Sequence, residues 1–396
     1  MTPAPASSPG PRPAAVPPWR NVRVLRIAGQ LTVVAIVALI GLVLWTNLTT
    51  SMARTGLVFG FGFLNATAGF EIAESPIAYR ATDTYGRAFV VGLLNTLVVS
   101  VVGIVLATVL GVFVGVARLS GNWLVSRVAA GYVELMRNTP LLVQLVLLYA
   151  VFLQLPPVAN SISLGGSVFL NQRGLFLPQP VTEPGFGLWF ALLVAAIAVA
   201  LAARVAASRR DAANRPSYHL GWIGILALVG IPLVGWVALG GPLRLEVPVQ
   251  ERFNFVGGIV LSPEFTALLL GLVIYTAAFI GEVVRGGIQS VRRGQLEAAY
   301  AVGLGPMQTL RLVVFPQALR VIVPPLTSQY LNLAKNSSLA IAIGFPDLFS
   351  VTRTMANQTG QSVSVIVLVM ATYLAISLGT SLLMNLYNRR VQVLER

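Results

Sequence analysis

The sequence predicts an all-α integral membrane protein of about eight transmembrane helices. Two observations carry this. Of 396 residues, 56% are hydrophobic and 10% are charged, with a mean hydropathy of +0.80, whereas a soluble domain carries about 25% charged residues to solvate its surface. Eight apolar runs also reach the length of about 20 residues that crosses a bilayer as helix: 27–45, 89–117, 141–159, 185–203, 220–241, 265–281, 321–345 and 363–386. The runs are continuous rather than alternating, which favours helices over the strands of a membrane barrel.

Residues 1–22 are rich in Pro, Ala and Ser and read as a disordered tail. The run behind them is too long for the apolar core of a signal peptide and lacks a small-residue cleavage site. The first, fourth and fifth runs are bland, with little polar beyond Gln30 and Thr32. The second, third, sixth, seventh and eighth carry Gly, Asn, Thr, Gln, Tyr and Ser, as do helices that pack on one another or line a wet path. The sequence therefore divides into a five-helix core and three accessory helices. The segments are 1–22 (tail), 23–86 (first accessory span and the loop after it), 87–159 (two core helices), 160–264 (an insertion with two accessory helices), 265–390 (three core helices and a long loop over 286–320) and 391–396 (tail). No strong internal repeat is visible, so the inverted-repeat architecture of secondary transporters gains no support.

Arginine bias sets the orientation. With the N-terminus inside, the cytosolic segments hold 19 arginines against 7 outside, while eight acids lie outside. Both termini and the 286–320 loop are then cytosolic. The net charge of +14 is spread over the ends of spans rather than along one stripe, which argues against nucleic acid. With no cysteine and a single histidine, His219, thiolate or histidine metal sites and a catalytic triad find no residues. No nucleophile–base pair is visible, and no catalytic or metal-binding residue is assigned.

The loop before the seventh span is the most informative stretch. It holds Glu297-Ala298-Ala299, then Gly303, then Val313, Phe315 and Pro316. Residues 295–303 read as a short helix with Glu297 in its first turn, where a carboxylate suits the positive helix end. Ala298 and Ala299 permit close approach to a partner groove. Gly303 suits a left-handed helix stop, and Pro306 suits the first position of a second helix. Met307, Leu310 and Val314 recur at helical spacing, and Phe315-Pro316 is expected to end that second helix.

This spacing resembles the EAA-loop signature of ABC-importer permeases. A second stretch, Tyr132-Val133-Glu134-Leu135-Met136-Arg137-Asn138-Thr139-Pro140-Leu141-Leu142-Val143-Gln144, is similar to one in polar amino-acid permeases of the histidine/glutamine/glutamate type, with Asn138 where glycine is usual. Gly92-Leu93-Leu94-Asn95-Thr96-Leu97, Tyr275 to Ile288 and Lys335-Asn336-Ser337-Ser338-Leu339 also match that family. The resemblance covers 86–159 and 265–390, and the longer build is similar to permease subunits of general L-amino-acid importers. It implies a five-helix type I ABC-importer core and a channel-forming subunit that works by alternating access in the bacterial inner membrane. It also implies separate ATPase subunits that bind ATP and Mg, a second related permease or a second copy of this chain, and a periplasmic amino-acid-binding protein. On that resemblance Glu297, Ala298, Ala299, Gly303 and Pro316 form the ATPase-coupling site.

The residues themselves add to this. A P-loop needs Gly-x-x-x-x-Gly-Lys-Ser/Thr. The only lysine, Lys335, follows Leu333-Ala334 with no glycine-rich loop, so ATP hydrolysis falls to a partner. Glu134 and Arg137, and Glu282 and Arg285, stand three apart and are expected as structural ion pairs. Thr139-Pro140 breaks the local helix. Lys335 is the sole cation well inside a span and must face protein, water or an interface. With Asn336, Ser337, Ser338, Asn95 and Gln144 it makes a candidate substrate path, weighed against plain helix-tying. An ion-gradient-driven secondary transporter is the alternative, but it needs a mid-membrane ionisable relay for which only Lys335 stands. A membrane scaffold would need no polar faces on five helices.

Overall fold

The computed structural model describes residues 22–55, 59–212, 218–251 and 254–392. The tail expected over 1–22 lies outside them apart from Val22, as does the stretch from 393 on. The chain opens with α1 (Val22–Thr55), whose described side chains are all exposed. Next come α2 (Tyr85–Ala117), α3 (Trp123–Asn138) and α4 (Leu141–Leu153). Four strands follow: β1 (Ile162–Leu164), β2 (Val168–Asn171), β3 (Gly174–Leu177) and β4 (Gln179–Thr182). The helices α5 (Phe186–Ala212) and α6 (Tyr218–Ala238) form an antiparallel pair. After them lie β5 (Leu243–Glu246), β6 (Val249–Gln250), β7 (Phe255–Val256) and β8 (Ile259–Leu261). The last part is helical: α7 (Pro263–Gln289), α8 (Arg293–Ala301), α9 (Pro306–Thr309), α10 (Phe315–Asn336), α11 (Leu348–Thr359) and α12 (Ser362–Gln392). Among the described residues seven helical segments are long and apolar enough to cross a membrane, and the bent pair α3–α4 brings the number to eight.

The core is built on α2 against α7, with α4, α10 and α11 packed around them and α12 on α10. Lipid tails are as apolar as leucine, so association in a bilayer depends on how closely backbones approach. Gly111 and Gly115 stand one turn apart on α2 and supply that approach. A Cβ on Gly111 would lie 2.6 Å from the Cβ of Ile280, and one on Gly115 would lie 2.7 Å from the carbonyl oxygen of Gly281. Gly287 does the same between α7 and α10, where a Cβ would meet Ile322 at 2.2 Å.

The expected third span, 141–159, is replaced by a broken one. The helix α4 is 13 residues long, about 20 Å at 1.5 Å per residue, and Pro156-Pro157 follows its end. It meets α3 at 105°, because Pro140 holds Thr139 extended (φ −107°, ψ 136°). Phe315-Pro316 does not end the second loop helix, as expected, but sits inside a continuous one. Leu310–Val314 forms a π turn in which the Phe315 N–H bonds the Leu310 carbonyl, five residues back. That wider turn takes up the bond Pro316 cannot make and its ring's clash with the preceding turn. The seventh span therefore runs over Pro306–Ile343, its last turns being a 3₁₀ stretch over Ser337–Ile343.

The insertion carries strands that the sequence reading left out. An antiparallel sheet in the order β1-β2-β3-β8 closes the two ends of the insertion on each other, and β4–β5 and β6–β7 form two further pairs. The rings of Phe169 and Phe176 lie 4.7 and 4.6 Å from that of Phe255 and make its small core. Gly174 (φ +123°) allows β3 to lie against β8, since a Cβ there would stand 2.0 Å from the Leu261 carbonyl oxygen.

The segment 59–84 is clamped to the start of α7, where the Ser262 hydroxyl donates to the Glu74 carboxylate. Burial raises the Glu74 carboxyl above its ordinary value; the Ser262 hydrogen bond opposes this and neighbouring Glu264 adds to it. A carboxyl raised in the native state binds its proton more tightly when folded. Its contribution is full below the unfolded value and is lost as pH rises through the native one. Protection of 59–84 against hydrogen exchange is therefore expected to increase from neutral to mildly acidic pH, and Glu74→Gln is expected to flatten that dependence. An unchanged pH dependence in the variant would remove Glu74 as its source. A second expectation concerns the α2–α7 contact: Gly111→Leu should cost about 1–3 kcal/mol by overpacking, read as a lower thermal midpoint in detergent. Gly121→Leu, where nothing lies within 4 Å of a Cβ, should leave the midpoint in place.

Candidate coupling site

The loop between α7 and α10 is a helix–turn–helix with each joint specified locally. The helix α8 starts at Arg293, earlier than expected, so Glu297 lies in its second turn rather than its first, and the first turn carries no acid. Its exit is a Schellman stop. The Gly303 N–H donates to the Tyr300 carbonyl (3.0 Å) and the Leu304 N–H to that of Ala299 (3.1 Å). Gly303 takes φ +83° with open space around it, so glycine serves conformation there, not room. Pro306 opens α9, and the Gln308 side chain accepts from the Gly305 N–H at 3.0 Å.

Packing sorts the motif into two faces. Ala299 is buried at 4% exposure, and Leu296 packs with Val291 and Val314 in the main core cluster. Glu297, Ala298, Gly303 and Pro316 are exposed. So are Tyr300, Val302 and Met307, the last two more than 70% exposed. Between α7, α8 and the π turn lies a groove of about 530 Å³ lined in part by Ile288, Leu296, Tyr300, Pro306 and Leu310. The Gln317 amide donates to Gln295 at 3.4 Å and braces α8 against the start of α10. The arrangement is a knob with small residues beside an apolar groove, joined through the Gly303 turn to a spanning helix.

Beneath the loop an ionic chain joins α2 to α7. Glu282 accepts from Arg285 and from Arg118, the residue that caps α2, and Arg285 also donates to Gln289 near the end of α7. Sequence spacing pointed to Glu282 with Arg285; Arg118, 164 positions away, gives no local signal. Glu134 and Arg137 do not pair. The Arg137 guanidinium lies 5.3 Å from the ring centre of Phe279, and no contact joins it to Glu134 among the salt bridges of the described residues. On α3 the aromatic face of α7 is within its reach, and cation–π contact takes the place of the expected pair.

The candidate path residues separate in the same way. Asn95 is 4% exposed and donates to the carbonyls of Glu74 (2.9 Å) and Pro346 (2.8 Å), so it ties two loops to α2. Gln144 donates to the Met136 and Thr139 carbonyls and to the Thr139 hydroxyl, closing the α3–α4 bend. Ser337 is fully buried and bonds the Ala334 carbonyl, and Ser338 bonds that of Lys335. Asn336 is half-buried. Lys335 alone of the six is exposed. Asp347, in the stretch between the last two spans, is fully buried and caps α11 through the Ser350 N–H at 2.9 Å.

Comparison with known proteins agrees with this architecture. The profile of the family described as "Binding-protein-dependent transport system inner membrane component" matches residues 107–393. The chain is 47% identical over 368 residues to the general L-amino acid transport system permease protein AapQ of Rhizobium johnstonii, covering 92% of each chain. It is 46% identical to the putative amino-acid ABC transporter permease protein YhdX of Escherichia coli, over 92% of this chain and 94% of that one. With the glutamate/glutamine/aspartate/asparagine transport system permease protein BztB of Rhodobacter capsulatus the identity is 41%, over 92% and 93%. This chain belongs to the family of binding-protein-dependent transport system inner membrane components, and is a multi-pass ABC-importer permease.

Proposed function

We propose that the chain is the channel-forming subunit of an ATP-driven amino-acid importer of the bacterial inner membrane, with both termini and the α8–α9 loop in the cytosol. The observation that carries the coupling role is the exposed ridge of Glu297 and Ala298 beside the groove between α7, α8 and the π turn, joined through the Gly303 turn to the Pro306–Ile343 span. Relatives named for amino-acid transport support the solute class.

In this reading separate ATPase subunits bind ATP and Mg, and their closure pushes on the α8 ridge. Gln317–Gln295 and the Glu282 ionic chain carry the push to α10, α7 and α2. A two-state rocking of the packed core then exposes the path alternately to each side. A periplasmic amino-acid-binding protein delivers the solute, and a second permease, a relative or another copy of this chain, completes the channel. An ion-driven carrier needs an ionisable relay in mid-membrane, and Lys335 is the one candidate the spans offer for it, so ion-gradient drive is not favoured.

Glu297→Arg is expected to preserve membrane levels of the chain while reducing ATP-driven amino-acid uptake to near background. ATPase subunits should be lost from a mild-detergent pull-down. Normal uptake by this variant would sink the coupling assignment.

A further inference from the structure

The short helix α11 stands between two glycines in the left-handed region, Gly344 (φ +82°) and Gly360 (φ +69°). The helix α2 holds one side of it. Leu348, Val351 and Met355 are buried, and the last two pack with Tyr85 and Ala88 at the start of α2. A Cβ on Gly92 would stand 3.1 Å from that of Val351. Phe349, Arg353 and Ala356 recur at spacings of four and three on another side. With Val365, Ile366 and Met370 of α12 they line much of a groove of about 430 Å³.

The groove opens toward lipid. Every fourth residue of α12 from Ile366 is exposed and apolar: Ile366, Met370, Leu374, Leu378 and Leu382. Such a stripe suits hydrocarbon, and its first two members are also groove wall. Depth places the other wall. Gly92 lies seven residues into α2, roughly 10 Å from that end. A helix of 33 residues is about 50 Å long and overhangs a hydrocarbon core of about 30 Å by some 10 Å at each end. The turn of α11 that meets Gly92 therefore lies at the hydrocarbon boundary, on the membrane face away from the coupling loop. Arg353 belongs to that turn. It is exposed, and no ion pair among the described residues engages it. Snorkelling accounts for a guanidinium at that level but not for the apolar groove beside it. A cation at the headgroup boundary next to an apolar groove complements a phosphate that carries a hydrocarbon chain.

We propose that this groove holds a phospholipid of net negative charge, with its phosphate on Arg353 and the upper part of an acyl chain along Phe349, Ile366 and Met370. The chain then continues down the oily stripe of α12. The lipid braces α11 on a side that α2 leaves open. The proposal concerns the lipid side of the protein and stands apart from the importer reading.

The test uses the assembly this chain forms in its native membrane, extracted in mild detergent and placed in nanodiscs. These contain phosphatidylcholine with a small share of phosphatidylglycerol bearing a diazirine on its acyl chain. Light expels dinitrogen, the carbene inserts into a neighbouring C–H bond, and peptide mass spectrometry locates the adducts. Adducts on 349–356 and 365–370 should exceed those on 374–382. Arg353→Gln should reduce the groove adducts about fivefold, the worth of one cation against an anionic headgroup. Arg353→Lys should retain them, since an ammonium also binds phosphate. Arg80→Gln, exposed outside the groove, should change nothing. Ala356→Phe should fill the groove and remove its adducts while 374–382 still react. The same diazirine on phosphatidylcholine should label the groove less. Equal labelling by the two headgroups, or groove adducts unchanged by Arg353→Gln, would mean ordinary surrounding lipid and overturn the proposal. Groove residues left unlabelled while 374–382 react would show another protein chain seated there and overturn it equally.

Discussion

The contact between the backbones of α2 and α7 at Gly111, Gly115 and Gly281 sets the spacing of the other core helices. Van der Waals contact and interhelical hydrogen bonds replace the hydrophobic effect as the associating force inside a bilayer, and both fall away within an ångström. Removing three side chains from this seam lets α7 lie close enough for Glu282 to accept from Arg118, and for the Tyr132 hydroxyl on α3 to donate to the Ile274 carbonyl. The position of α10 is inherited from the same seam, through Gly287 against Ile322 and Gly103 against Leu333. A side chain at any of these glycines would displace the face of α10 as well as the ends that meet the coupling loop.

Much of this was legible in the residues. Long apolar runs locate spans because the bilayer demands a fixed length. Gly303 and Pro306 locate a turn because few residues satisfy a left-handed stop followed by a helix start. What escaped was tertiary or satisfied in place. Arg118 pairs with Glu282 across 164 positions, and nothing near Arg118 announces it. Gln144 and Asn95 read as path residues because a polar group in an apolar run looks available. Both are spent on backbone carbonyls, one at a bend and one between loops. Strands of two to four residues with exposed faces carry no alternation long enough to read.

The polar residues of the core thus serve two purposes that composition alone does not separate. Some complete the backbone hydrogen bonding that broken helices leave open, as at Thr139-Pro140 and at the cap of α11. Others stand on a face no neighbour covers. The distinction rests on partners: a buried amide whose NH2 is spent on two carbonyls has no donor left for a solute, whereas Lys335 is exposed on a stripe that lipid does not suit.

The π turn at Leu310–Val314 has one more consequence. It adds a residue to the helix, and Pro316 prevents that extra residue from migrating toward α10 by α-helical re-pairing. Each residue advances a helix by about 100°, so losing the bulge would twist everything beyond it by that angle relative to the loop. Lys335 would swing from the open face toward the helices that now flank α10. The single wide turn therefore acts as an indexing pin, fixing which compass direction of α10 is left open for a given orientation of the α8–α9 loop.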